Sequence, residues 1–96
     1  MTKADIVSQI SEQTGMEKGD IQVTVEAFMR AVRSNLENGN NVYLRGFGSF
    51  VVKTRAAKTG RNILAKKSIQ IPAHNIPSFK PSRDFLDKVK TNVKVK

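Results

Sequence analysis

Hydrophobic and polar residues repeat with two different periods along this chain of 96 residues, and the change of period divides the chain. Over residues 1–40, apolar side chains recur at three- and four-residue steps, the spacing of one face of an α-helix. Thr2 can cap a first helix over roughly residues 3–14, and Gly15 can end it. A second helix is expected from about Lys18 to Asn38. The pattern therefore predicts a helical hairpin.

The period then changes to two, and the residue types become those that favour β-strands. Val42–Leu44 and Phe47–Ala57 predict a short and a longer strand, separated by a turn at Arg45 and Gly46. Ile69 and Ile71 alternate with polar residues and predict a returning strand. A proline offers no N–H to a ladder, which predicts edge positions or bends at the three prolines of this region: Pro72, Pro77 and Pro81.

The C-terminal part, residues 82–96, predicts a short helix followed by a loose tail. Ser82 can cap this helix, and Phe85, Leu86 and Val89 would form its apolar face. The length predicts a single domain. The predicted fold class is α+β, with a helical hairpin over residues 1–40, a sheet over residues 41–81 and this last helix.

The outer part of the predicted sheet, residues 53–72, contains too few large apolar residues to pack a core. An extended strand rises about 3.3 Å per residue, so the chain from Lys53 to Ile63 could reach roughly 33 Å. We therefore expect this segment to project from the body as a β-arm.

Charge is distributed unevenly along the chain, whose formal net charge is +9. Residues 1–37 carry six acids and four bases, whereas residues 38–83 carry nine bases and no acid. A positive electrostatic field attracts polyanions. Nucleic acid is the first candidate and an anionic membrane the second.

Few residues offer catalytic or metal-binding chemistry. The chain has no cysteine, so disulfides and thiolate metal sites are excluded. His74 is the only histidine, and it predicts neither a metal site nor a catalytic Ser/His/Asp set. We therefore expect no enzymatic activity and no cofactor. The absence of a long apolar run predicts a cytoplasmic protein without a membrane span or signal peptide.

The segment RGFGSF, Arg45–Phe50, contains two glycines that suit a turn and close backbone packing better than phosphate binding. Phe47 and Phe50 lie three residues apart, so a regular strand would place them on opposite faces. A bulge near Gly48 could bring both rings inward. With Phe79 they are interpreted as core aromatics, with base stacking as the alternative.

Basic residues follow the predicted arm toward its tip and back. Lys53 and Arg55 are two residues apart and hence share a strand face. A two-stranded ribbon can lie in a DNA groove, and arginine suits the narrow minor groove. The candidate DNA-binding residues of the arm are Lys53, Arg55, Lys58, Arg61, Asn62, Lys66 and Lys67.

These features resemble the bacterial histone-like HU/IHF family over essentially the whole length, and HU more closely than IHF. The resemblance is carried by the two-helix start, RGFGSF at Arg45–Phe50, RAAKTGRN at Arg55–Asn62, IP at Ile71–Pro72 and FKP at Phe79–Pro81. It implies an intertwined homodimer in which helical hairpins form the base and three-stranded antiparallel sheets form a saddle. Two β-arms would embrace double-stranded DNA through the minor groove. By the same resemblance, Phe47, Phe50 and Phe79 belong to the dimer core, and Lys3, Lys80 and Arg83 meet flanking DNA.

One position departs from the family pattern. The family usually has proline after Arg-Asn, where it wedges between base pairs, and this chain has Ile63. Isoleucine and leucine can also act as wedges. We therefore predict that Ile63 replaces the proline, with Leu64 as the second choice. The alternative is that this apolar pair only packs on itself.

The resemblance implies an architectural protein that binds and bends double-stranded DNA with little sequence specificity and compacts the bacterial nucleoid. Bent, nicked or junction DNA would be preferred, since part of the bending cost is already met. Neither a small-molecule substrate nor a membrane partner is expected. The alternatives are an RNA-binding or ribosome-associated protein, a basic protein that binds a surface polyanion, and a structural oligomer whose charge aids solubility.

Overall fold

The computed structural model describes residues 1–62 and 67–95, of which residues 59–62 and 67–69 are described by their backbone alone. The described chain is α+β, with a helical hairpin first, then strands, then a last helix. Among its helices, none combines the length and apolar character needed to cross a membrane. In chain order the elements are α1 (Lys3–Thr14), α2 (Lys18–Glu37), β1 (Val42–Leu44), β2 (Gly48–Arg55), β3 (Lys58–Asn62), β4 (Lys67–Ile71), β5 (His74–Pro81) and α3 (Arg83–Asn92).

Both ends of α1 are fixed by the residues that the sequence predicted. The Thr2 side chain accepts a hydrogen bond from the Asp5 N–H, and the Asp5 carboxylate accepts one from the Thr2 N–H at 2.8 Å. Gly15 ends the helix in a left-handed conformation with φ of 76°, which glycine adopts without a side-chain clash. Val7 of α1 and Ile21 of α2 are the most buried apolar residues described, at 5% and 3% exposure.

Strands β1, β2 and β5 form one antiparallel sheet in that spatial order. Phe50 at its centre pairs with Val42 on one side and with Phe79 on the other. Because β5 lies at the edge of the sheet, the prediction of edge positions for Pro77 and Pro81 is confirmed.

A tight turn connects β1 to β2. The Phe47 N–H donates to the Leu44 carbonyl at 3.0 Å, and Gly46 has φ of 82°, the left-handed value that a type II turn needs at its third residue. The predicted bulge near Gly48 is wrong, because β2 keeps an unbroken register from Gly48 to Arg55. Phe47 precedes the strand, and the turn brings its ring to the same side as that of Phe50.

The arm is a second, two-stranded sheet formed by β3 and β4, paired from Lys58 with Ile71 to Asn62 with Lys67. Pairing is interrupted at residues 56–57 and at residues 72–73, where Pro72 cannot donate to a ladder. β1 pairs only with residues 48–50, so β2 and β5 continue outward from there as two strands. Residues 53–55, which the sequence assigned to the arm, remain paired with β5.

The helical hairpin and the sheet are held apart over much of their length. A groove of about 640 Å³ lies between α2 and the inner side of the sheet. The radius of gyration is 18.9 Å, whereas a compact domain of this length has about 12.5 Å. The described chain is therefore extended and leaves much apolar surface uncovered, including Phe28 and Met29 at 47% exposure each. The groove is lined by Phe28, Met29, Val32, Arg33, Leu36, Glu37, Gly39, Phe50, Val52, Asn75 and Pro77.

Candidate nucleic-acid interface

The three-stranded sheet has one charged face and one uncharged face. Residues directly opposite in an antiparallel sheet share a face, and successive residues alternate between faces. The register therefore assigns every residue of the three strands to a side. The inner face, toward α2, carries Val42, Leu44, Gly48, Phe50, Val52, Thr54, Asn75, Pro77, Phe79 and Pro81. The outer face carries Tyr43, Ser49, Val51, Lys53, Arg55, His74, Ile76, Ser78 and Lys80.

All formally charged residues of these three strands lie on the outer face. Lys53 pairs with Ile76, Arg55 pairs with His74, and Lys80 pairs with Ser49. The side chains of Lys53, Arg55 and Lys80 are exposed. The sheet thus presents a surface of one sign, which we call the basic face and define by Lys53, Arg55 and Lys80.

Arg45 and Lys80 extend this charge to the β1–β2 turn. They line a shallow concavity of about 350 Å³ together with Tyr43 and Ser49. Tyr43 is 70% exposed, so its ring is available for contact from outside the sheet. The sequence pattern predicts no binding role for Tyr43 or Arg45, because strand register is needed to place Tyr43 beside Ser49 and Lys80.

Side-chain hydrogen bonds hold the sheet that carries the basic face. Asn41, just before β1, accepts the Val52 N–H through Oδ1 at 2.9 Å and donates through Nδ2 to the Tyr43 hydroxyl at 3.2 Å. At the outer end, Thr54 Oγ1 donates to Asn75 Oδ1 at 2.7 Å between directly opposite residues. These bonds fix β2 against both of its neighbours.

The arm continues the positive charge beyond the sheet. Lys58 begins β3 and has an exposed side chain. Arg61 and Asn62 lie in β3 and Lys67 lies in β4, so the backbone places these predicted residues on the arm. Ile63, Leu64 and Lys66 lie outside the described residues.

The two remaining predicted binding residues occupy helix ends. Arg83 is the first residue of α3 and is exposed. Lys3 is the first residue of α1, and its Nζ lies 2.7 Å from Glu26 Oε1 on α2. This hydrogen bond and the lysine charge lower the pKa of the Glu26 carboxyl. Lys3 is therefore engaged within the protein, and an incoming phosphate would have to share it with Glu26.

Four phenylalanines form a cluster under the sheet. The Phe50 and Phe79 ring centroids are 4.9 Å apart, and Phe47 lies 5.2 Å from Phe79. Phe85 of α3 completes the cluster at 5.5 Å from Phe47. The sequence pattern predicts a helix face for Phe85 but not its contact with the other three rings. Phe47 and Phe79 remain 44% and 37% exposed, so the cluster lies open to one side.

This chain is similar to one protein family and to individual proteins of known sequence or structure. The family model described as bacterial DNA-binding protein matches residues 1–90. The DNA-binding protein HU of Thermus thermophilus is 44% identical over 90 residues, which cover 94% of this chain and 93% of that protein. The DNA-binding protein HU of Geobacillus stearothermophilus is 37% identical over 90 residues, which cover 94% of this chain and 100% of that protein.

Among solved structures, a cocrystal structure of Anabaena HU with DNA superimposes with a TM-score of 0.86 and 30% identity, covering 93% of this chain and 97% of that one. An HU variant from Thermotoga maritima has a TM-score of 0.70 at 22% identity, covering 93% of this chain and 99% of that one, which shows a shared fold.

Proposed function

This chain belongs to the bacterial DNA-binding protein family, and we propose that it acts as an architectural protein that bends double-stranded DNA with little regard to sequence. Members of this family are DNA-binding proteins and not enzymes. The observation that carries the proposal is the segregation of charge in the sheet, where Lys53, Arg55 and Lys80 share a face with no acidic residue on it. Lys58 extends that charge onto the arm.

This arrangement suits the DNA backbone better than the base edges. Phosphates supply a regular row of negative charge, and lysine and arginine contacts to them carry no sequence information directly. The arm is a narrow two-stranded ribbon, a shape that a DNA groove can accept. The minor groove, which we propose for the arms, offers only a degenerate hydrogen-bond code. Compaction of the bacterial nucleoid would follow from many such bends.

We propose a homodimer as the binding unit. The groove between α2 and the sheet is lined by apolar side chains such as Met29, Val32 and Phe50, and the phenylalanine cluster opens to one side. A chain that buries so little of its apolar surface would be marginal alone. A second copy, offering the same complementary surface, would cover both features and place two arms on one DNA molecule.

The tip of the arm is proposed to kink the duplex. The proposal rests on the sequence, because Ile63 follows Arg-Asn where the resembled family usually has proline. Replacing Ile63 with alanine should reduce the bend, measured by energy transfer between dyes at the two DNA ends, more than it reduces total binding. Leu64→Ala is the matched comparison, and an unchanged bend in both variants would remove the wedge from the proposal.

The function itself is tested by binding to straight, nicked and four-way-junction DNA across a salt series. We expect tighter binding to the nicked and junction forms, since a bend of 40–90° costs roughly 1–6 kcal/mol in intact duplex. If about six to ten phosphates are contacted per dimer, affinity should fall by ~10³–10⁵ between 50 and 200 mM salt. Equal affinity for all three forms would leave binding without an architectural role. A double-stranded RNA of equal length, if bound more tightly than DNA, would favour the ribosomal alternative.

A further inference from the structure

His74 lies at the start of β5 on the outer side of the sheet, directly opposite Arg55. It is the only histidine of the chain, and its side chain is exposed. The two-residue link to β4, Pro72 and Ala73, precedes it, so it stands where the sheet passes into the arm. His74 lies on the face of the sheet opposite to the phenylalanine cluster.

One ring nitrogen of His74 is held by the backbone. Nδ1 lies 3.0 Å from the carbonyl oxygen of Pro72. A carbonyl oxygen can only accept, so this contact is a hydrogen bond when Nδ1 carries the proton. Both the neutral Nδ1–H form and the imidazolium satisfy that condition. In the neutral Nδ1–H form Nε2 can only accept a hydrogen bond, so Nε2 donates to a phosphate oxygen only in the imidazolium.

The described charges around His74 are all positive. Arg55 is the direct partner of His74 on β2, and Lys53 lies two residues before Arg55 on the same face of that strand. Lys58 is the first residue of the arm. The whole segment of residues 38–83 contains no acid. A phosphate bound among these cations would favour the charged imidazolium over the neutral ring. Binding of a polyanion at this position and uptake of a proton by His74 are therefore thermodynamically linked.

We propose that His74 is an additional contact of the basic face, which takes up one proton from solvent when a DNA phosphate binds beside it and Arg55. The inference rests on the proposed function and adds to it a binding residue whose charge depends on pH. Its consequence is that each protomer gains one phosphate contact at low pH and loses it at high pH.

Fluorescence anisotropy of a labelled duplex, measured over a salt series at about pH 5.5 and about pH 8, tests the linkage. Wild type should bind more tightly at the lower pH. Its plot of log affinity against log salt should also be steeper there by about 0.9 for each histidine that contacts a phosphate. His74→Gln should show the same slope at both pH values. His74→Lys, with a fixed charge, should keep the steeper slope at both.

A remote histidine provides the control. Gln13 is exposed on α1, and Gln13→His in the His74→Gln background restores an imidazole outside the sheet that carries the basic face. This double variant should remain as insensitive to pH as His74→Gln. The inference is overturned if wild type and His74→Gln respond equally to pH, or if the histidine on α1 restores the response. Absence of duplex binding at both pH values would overturn the proposed function as well, so the two failures are distinguishable.

Discussion

The residues packed against Gly48 leave no room for a side chain at this position. A Cβ at this position would lie 2.5 Å from the Lys80 carbonyl oxygen and 2.8 Å from the Phe79 ring. Neither group can move away freely, because the Lys80 carbonyl is part of the β5 backbone and the Phe79 ring packs in the phenylalanine cluster. Close approach of β2 and β5 therefore depends on glycine here.

We expect Gly48→Ala to lower the free energy of unfolding by about 1–3 kcal/mol, the usual cost of forcing atoms into a packed site. Urea denaturation, monitored by circular dichroism, measures this free energy of unfolding. Gly19→Ala is the matched control, because no atom lies within 4 Å of a Cβ built there and the residue is helical. It should be neutral or stabilise by up to ~1 kcal/mol. Equal effects of the two substitutions would contradict this account of Gly48.

Single residues with a local role are predictable from the sequence. Thr2, Gly15 and Ser82 end or begin helices as predicted, because capping depends only on nearby backbone groups. The pairing of Lys80 with Ser49, by contrast, depends on strand register, which joins residues 31 positions apart. That long-range pairing explains why Tyr43 and the full basic face could not be predicted, although the shared face of Lys53 and Arg55 could.

At the scale of elements, Ser82 joins the β1–β2 turn to α3. Its N–H donates to the Phe47 carbonyl at 2.9 Å, and its hydroxyl donates to the Gly46 carbonyl at 3.1 Å. The same hydroxyl accepts the Phe85 N–H at 3.3 Å and so caps the helix. One side chain thus sets the position of α3 against the turn, and with it the Phe47–Phe85 contact.

We expect Ser82→Ala to lower the free energy of unfolding by about 0.5–2 kcal/mol, the range for loss of an N-cap. Thermal or urea denaturation measures the change. Ser34→Ala, at an exposed position inside α2, is the control and should be neutral or slightly stabilising, since alanine favours helix. A neutral Ser82→Ala would mean that the turn and α3 are held by the aromatic contacts alone.

The helical hairpin is predicted to weaken in acid. Hydrogen bonds from Thr2 lower the pKa of Asp5, and the hydrogen bond and charge of Lys3 lower the pKa of Glu26. A carboxyl with a lowered pKa stabilises the folded state above its ordinary titration range, and this contribution is lost as the pH falls through the lowered value. Asp5 is exposed and Glu26 is only partly covered, so solvent screens the effect.

Acid titration of the helical circular dichroism signal should therefore show a smaller loss in Glu26→Gln than in wild type. At neutral pH the variant should be slightly less stable than wild type, since the Lys3 ion pair is gone. Glu12→Gln is the control, because Glu12 lies outside the three ion pairs found among the described residues. The helical signal of Glu12→Gln should fall with acid as that of wild type does. An equally reduced loss in both variants would exclude the Lys3–Glu26 pair as the cause.

At the scale of the whole molecule, the exposed apolar surface predicts that folding and association occur together. The melting temperature should rise with protein concentration, as expected when the folded state is a dimer. Met29→Lys would place a charge in the groove, and each kcal/mol lost should lower the melting temperature by roughly 4–8 °C. Concentration-dependent melting with sedimentation analysis measures both effects.

Val23→Lys is the matched control. Val23 lies on α2 and is 65% exposed, but it does not line the groove. It should leave melting and association close to wild type. A melting temperature independent of concentration in wild type would contradict the proposed homodimer.

The division of the sheet into an inner apolar face and an outer basic face makes two properties separately adjustable by mutation. Lys53 and Phe79 share no surface, so substitutions at these two positions should have nearly additive effects on binding and stability. Exchange of the outer cations alone would therefore change the affinity for DNA and its dependence on salt. The phenylalanine cluster would not have to change with them.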